Sequence, residues 1–251
     1  ISRGFEIENV GFKNEGTEKW EVRNLSFKLN AGEKLALVGE NGAGKTTLVK
    51  LLGRLYDPTE GQILLDGIDL RQYDQVAYNK SVGVIFQDFV RFSFIAGLNI
   101  AVGKIEDKDE YESIERAAYK SLAAEVIADL PEKYDQMIGR RFKGGADLSG
   151  GQWQKIALAR AYMRDAQLMI LDEPTAALAA RAEHEVFQRF IDLTRNKTSV
   201  LISHRFSTVR MADRILVLKG GKVDEMGTHE ELLSKQGLYA QLFELQARGY
   251  Q

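Results

Sequence analysis

The sequence predicts an α/β fold: a parallel-sheet core with a small antiparallel sheet at its front and a helical insertion in its middle. Three observations predict it. A short apolar run, a glycine-rich stretch and a helical pattern follow one another over residues 33–56. Runs at 167–172, 198–202 and 214–218 are nearly all apolar, as strands covered on both faces of a parallel sheet are. Residues 89–164 show helical periodicity and no convincing strand. The predicted boundaries are a core of residues 1–87 and 165–251, which includes the small sheet, and a helical subdomain of residues 88–164.

The elements follow in order. Phe5–Phe12 alternates apolar and polar residues and predicts an edge strand. Residues 14–19 form a turn, and Trp20–Leu29 alternates again. Asn30, Ala31 and Gly32 turn the chain into the buried strand Glu33–Val38. Apolar spacing of three and four predicts a helix over Thr47–Tyr56, stopped by Asp57 and Pro58. Gly61–Asp66, Gly67 and Ile68–Leu70 read as a hairpin. Ser81–Phe86 is a strand that leads into Gln87 and Asp88. Helices are expected at Ser93–Val102, Glu110–Leu130 and Gly151–Arg164, and a long amphipathic one at Ala182–Arg195. Thr228 and Glu231 have capping-box spacing at the start of a short helix. A last helix covers Gly237–Arg248.

Composition sets outer limits. The 251 residues are 44% hydrophobic and 28% charged, with a formal net charge of −2. That balance gives no reason to expect a nucleic-acid partner. Without cysteine there is neither a disulfide framework nor thiolate chemistry, which fits a cytosolic setting. No apolar run is long enough to span a membrane, and no signal peptide is visible. The chain opens on Ile1 rather than Met, as a piece of something longer would.

The chemistry centres on Gly39, Glu40, Asn41, Gly42, Ala43, Gly44, Lys45 and Thr46, which fit the pattern G-x-x-x-x-G-K-[ST]. Glycines let the backbone pass close to a polyphosphate and aim several N–H groups at it. The following helix, entered through Thr47, adds its N-terminal partial charge. Lys45 would reach the β- and γ-phosphates, and Thr46 would offer its hydroxyl to Mg²⁺. A plain glycine turn before a lysine is the alternative; the flanking strand and helix argue against it.

Leu168–Asp172 is a buried apolar run that ends in two acids, which places carboxylates at the carboxyl end of the sheet. Asp172 would hold Mg²⁺ directly or through water, and Glu173 would orient or deprotonate the attacking water. Ser149, Gly150, Gly151 and Gln152 open a helix and form either a second anion-binding end or an ordinary cap. His204 follows a buried strand and could donate to a γ-phosphate. Gln87 could reach Mg²⁺ or the water. His184 and His229 are expected at the surface.

These residues together resemble the nucleotide-binding domain of an ATP-binding cassette (ABC) transporter. The phosphate loop is similar to its Walker A motif, Leu168–Glu173 to Walker B, Leu148–Gln152 to the signature, Gln87 to the Q-loop and His204 to the switch histidine. The match runs the length of the chain, and residues 227–242 resemble the tail of exporter-type domains. The resemblance implies a P-loop NTPase core with a small antiparallel β subdomain and a helical subdomain. It implies ATP and Mg²⁺ as ligands, and a second nucleotide-binding domain, identical or not, as a head-to-tail partner. ATP held by Lys45 and Thr46 of one domain would be covered by Ser149 and Gly151 of the other. A transmembrane domain would dock near Gln87 at the cytoplasmic face of the cell membrane, and hydrolysis would drive export.

Two positions depart from the pattern. Asn14 stands where exporter domains carry an adenine-stacking aromatic; Trp20 either substitutes for it or packs on the small sheet. Ala179 stands at the Asp that orders the dimer interface and the attacking water, and so puts the rate of hydrolysis in doubt. Three readings follow: an ATPase motor of an exporter, a nucleotide-dependent clamp with little turnover, and a soluble ABC protein acting on DNA or ribosomes. Intact Glu173 and His204 favour the first. No basic patch or long coiled-coil insertion supports the third.

Overall fold

The computed structural model describes residues 1–86, 88–139, 141–173 and 180–249. The strands are β1 (Gly4–Lys13), β2 (Trp20–Asn30), β3 (Lys34–Val38), β4 (Glu60–Leu65), β5 (Ile68–Asp69), β6 (Val82–Ile85), β7 (Leu168–Asp172), β8 (Thr198–Ile202), β9 (Arg214–Lys219) and β10 (Lys222–Gly227). The helices are α1 (Lys45–Leu52), α2 (Gln75–Lys80), α3 (Ala96–Ala101), α4 (Tyr111–Lys120), α5 (Ala123–Ala128), α6 (Gly150–Tyr162), α7 (Ala180–Leu193), α8 (Phe206–Val209), α9 (His229–Lys235) and α10 (Leu238–Gly249). The chain forms two compact units: Ile1–Val82 with Gln167–Glu173 and Asn196–Gln251, and Gly83–Ala166 with Pro174–Arg195.

In the first unit β10, β9, β3, β8 and β7 are neighbours in that order. The pairs β9–β3, β3–β8 and β8–β7 are parallel, and β10 closes antiparallel on β9. Leu168, Met169, Ile170 and Leu171 are all buried, as are Val200 and Ile202. Each such side chain contributes about 1.5–3 kcal/mol by leaving water. β10 escapes sequence reasoning because its residues are mainly polar. Its signal is the Gly220–Gly221 turn, both residues at positive φ, which joins the paired Lys219 and Lys222 as a two-residue hairpin does.

The smaller sheet has the order β2-β1-β4-β5. Its first strand was expected at an edge; β1 instead pairs antiparallel with both β2 and β4. Alternation reports one buried face and is silent about how many edges are paired. The β4–β5 hairpin turns on Asp66 (φ 53) and Gly67 (φ 88). The Asp66 carboxylate accepts hydrogen bonds from the N–H groups of Ser2, Arg3 and Gly4, and so fastens the start of β1.

α1 is shorter than its apolar pattern. It stops because Arg54 takes a left-handed conformation (φ 51), with Leu55 N–H bonded to Lys50 O and Arg54 N–H to Leu51 O. This is a Schellman stop with arginine where glycine is usual. The Arg54 guanidinium holds the turn by donating to the carbonyls of Tyr73 and Arg71.

The second unit is helical, apart from most of the short strand β6, and has its own core, including Ile100, Ile114, Val126, Ile127, Trp153 and Ile156. The single helix expected over residues 110–130 is two, α4 and α5. Leu122 sits at φ 64 between them, and buried Ser121 accepts the Ala123 N–H through its hydroxyl. Arg160 of α6 donates to Asn99 and to the Val90 carbonyl; burial lowers its guanidinium to about 10.

Candidate functional site

Three parallel strands deliver the site. β3 runs into the phosphate loop, β7 into Asp172 and Glu173, and β8 into Ser203 and His204. Within the loop Gly39, Gly42 and Gly44 have φ of 156°, 79° and 101°. At Gly39 a Cβ would stand 2.4 Å from the Leu218 carbonyl oxygen, and at Gly44 it would stand 2.5 Å from Val22 Cγ1. Only glycine fits either place. Glu40, Asn41, Gly42 and Thr46 are exposed, whereas Ala43, Gly44 and Lys45 are buried.

Lys45 folds back over the loop. Its Nζ donates to Gly39 O at 2.6 Å and to Glu40 O at 3.0 Å. Burial lowers its ammonium below the ordinary lysine value, and the nearby Glu173 and Asp172 carboxylates oppose that shift. Thr46 Oγ1 donates to Asp172 Oδ2 at 3.0 Å. Burial pushes the Asp172 carboxyl above the usual carboxylate range, and the Thr46 hydrogen bond opposes it. The buried Lys45 cation is relieved by an anion, and the buried Asp172 carboxylate at the end of β7 by a cation.

Glu173 follows directly, with φ 48, a strained conformation for a residue with a side chain. Its N–H donates to Ile202 O at 3.0 Å. Its Oε1 lies 2.6 Å from His204 Nε2. The β7–β8 register, which pairs Asp172 with Ile202, brings the acid and the imidazole together.

Residues 22–176 match the ABC transporter family. The chain belongs to that family. It is 41% identical over 244 residues to the ATP-dependent lipid A-core flippase of Alkalilimnicola ehrlichii, covering 97% of this chain and 41% of that protein. It is 39% identical over 238 residues to the subtilin transport ATP-binding protein SpaT of Bacillus subtilis, covering 95% and 39%. A solved structure, a bacterial Atm1-family ABC exporter with ATP bound, superposes with a TM-score of 0.90 at 37% identity, covering 98% of this chain and 42% of that one. The chain thus spans about two fifths of the length of these relatives. The α/β P-loop architecture and the ATP-binding assignment of an ABC domain hold.

The other expected site residues fall in several places. Trp20 opens β2 and packs over Gly11, with the Arg23 guanidinium 4.4 Å from a ring centroid and Lys13 Nζ at 5.4 Å. It precedes Glu21, whose carbonyl oxygen lies 3.1 Å from where a Gly44 Cβ would be. Asn14 accepts from Thr17 in a turn. In the second unit Ser149 caps α6: its hydroxyl accepts the Gln152 N–H at 3.2 Å, and Gln152 Oε1 accepts the Ser149 N–H at 2.9 Å. Gly150 and Gly151 form the first turn of that helix. Gln87 and Ala179 lie outside the described residues. His184 is exposed. His229, expected at the surface, is half-buried because its Nδ1 meets Tyr239 Oη at 2.8 Å. Sequence reasoning passes over Gln246, whose only signal is a polar residue on an otherwise apolar helix face.

Proposed function

We propose that this chain is the ATP-hydrolysing motor domain of an ABC exporter. Two such domains pair head to tail around two ATP at the cytoplasmic face of a membrane. The observation that carries the reading is the grouping of Lys45, the Thr46–Asp172 pair and the Glu173–His204 pair at the carboxyl ends of β3, β7 and β8. Gly39–Thr46, with Thr47 behind them, receive the triphosphate through backbone N–H groups and Lys45. Trp20 is the aromatic proposed for adenine in place of Asn14. Ser149, Gly150, Gly151 and Gln152 of a partner domain cover the γ-phosphate.

Water attacks the γ-phosphorus, and the bond to the β-bridging oxygen breaks to release ADP. Glu173 takes the proton from that water. His204 holds Glu173 through Nε2–H and donates to the γ-phosphate when it is present; Gln87 orients the water. The donor set fits Mg²⁺. Among the described residues no three His, Cys, Asp or Glu side chains gather as a self-sufficient metal cage. One hydroxyl and one carboxylate suit an ion held mainly by phosphate and water. Thr46, Asp172 and Gln87 would hold it, and it would supply neutralisation of charge on the phosphate oxygens.

The names of the relatives include a lipid A-core flippase and a subtilin transporter at nearly equal identity. The cargo is therefore proposed to be set by the membrane domain.

The test is steady-state hydrolysis of ATP with Mg²⁺, beside the Ala179→Asp variant, across protein concentration. The motor reading expects activity per molecule to rise with concentration and the Asp variant to be faster. Equal inactivity of both, with ATP bound, would favour the second reading, a nucleotide-dependent clamp with little turnover, for which Ala179 is the specific observation.

A further inference from the structure

We propose that Gln246 is a positioning residue for His204, so that the docked C-terminal helix α10 sets the geometry of the Glu173–His204 pair. The proposal rests on the hydrolytic reading above. Between β8 and α8 the chain turns through Ser203, His204 and Arg205, and its peptide groups need partners there. Arg205 N–H uses the Ser203 hydroxyl at 3.0 Å. The two flanking groups are taken by one side chain from 40 residues away: Gln246 Oε1 accepts the Phe206 N–H at 2.8 Å. Its Nε2 donates to the His204 carbonyl at 2.5 Å. A carboxamide presents a donor and an acceptor side by side, as a peptide group does, so Gln246 acts as a one-residue edge strand against the loop.

The rest of α10 is anchored independently. Tyr239 is fully buried and, with Phe243, packs on Phe206 with ring centroids 5.3 and 5.5 Å away. Tyr239 N–H donates to Glu225 Oε2 at 2.8 Å, and its hydroxyl meets His229. Gln246 follows Tyr239 and Phe243 on the same face, one turn further on, and is half-buried. Helix docking therefore does not depend on its amide. What the amide does hold is the main chain of the residue whose imidazole stands 2.6 Å from Glu173.

The experiment compares the chain with Gln246→Met, which keeps length and loses both hydrogen bonds, in His204 and His204→Ala backgrounds. Thermal unfolding, kcat and KM for ATP, and the imidazole NMR signals are read. The chain has three histidines, so the His204 signals are identified by their loss in His204→Ala. The expected result is kcat lower by about tenfold, with KM held and Tm lower by only about 2–6 °C, the cost of one or two lost hydrogen bonds. The His204 signals shift while those of His184 stay, and Gln246→Met adds nothing once His204 is Ala. Unmoved His204 signals, or the same loss of rate in both backgrounds, overturn the proposal, as does a loss of rate explained by a fallen Tm. If the parent chain does not hydrolyse ATP, the hydrolytic reading fails on its own account. The His204 signals then decide the positioning role, which stands if they move and falls if they do not.

Discussion

His204 Nε2 and Glu173 Oε1 are 2.6 Å apart, on residues that follow two adjacent parallel strands. That distance is within hydrogen-bonding range. The register of β7 on β8 sets this pair, since Asp172 stands beside Ile202.

Replacing Glu173 by Gln keeps the shape and removes the base. Turnover is expected to fall at least about a hundredfold, with ATP still bound and a stable ATP-held dimer accumulating. Steady-state hydrolysis and size-exclusion chromatography in ATP check both. Unchanged turnover would remove Glu173 from the mechanism.

Lys45 is 7% exposed and donates to two loop carbonyls, so its charge is costly until an anion arrives. ATP at a hundred times its Kd is expected to stabilise the chain by about 2.7 kcal/mol. Lys45→Met should lose most of that gain and unfold at least as late as the parent without nucleotide. Thermal unfolding with and without ATP reads the difference.

Gly44→Ala tests the backbone of the loop. A methyl there meets Val22 Cγ1 at 2.5 Å, at φ 101°. The expected cost is about 1–3 kcal/mol of stability, with a loss of nucleotide binding that exceeds it. Gly16→Ala, where a Cβ meets nothing within 4 Å but φ is +75, separates the conformational part from the clash.

Asp66 ties the front of β1 to the β4–β5 hairpin. Burial would raise its carboxyl, but the N–H groups of Arg3, Ser2 and Gly4 outweigh that and hold it at about 2, below the ordinary 3.8. A folded value below the unfolded one gives stability that is present above pH 3.8 and lost as pH falls through about 2. Asp66→Asn should therefore cost about 1 kcal/mol at pH 7, after allowance for its partial exposure, and only a small part of that at pH 2, where the folded carboxyl is about half protonated. Urea unfolding at the two pH values tests the sign.

Much of this was legible in the residues. The phosphate loop, the acids after β7 and the histidine after β8 follow apolar runs whose composition announces buried parallel strands, and these are the strands observed. The hairpin around Gly67 and the capping box of Thr228 and Glu231 were legible because turn and cap chemistry is local. The failures are non-local. Whether β1 is paired on one side or both depends on β4, some fifty residues on. The ends of α1 and α4 are set by left-handed Arg54 and Leu122, residues with no intrinsic taste for that conformation, held there by tertiary contacts. The partners of Gln246 cannot be read from sequence because they are main-chain atoms, which every residue possesses.

The sheet order carries a consequence for how the protein comes to be folded. β3 carries the phosphate loop, yet its parallel neighbour β8 arrives far along the chain; the Gly32 N–H already bonds to Thr198, 166 residues away. Such pairings demand long loop closures and form slowly. An emerging chain has its glycine loop long before it has the strands that hold Asp172 and His204 against it. Capture of nucleotide during refolding is thus expected to lag behind the appearance of helical signal, and ATP serves as a ligand that recognises only the completed sheet.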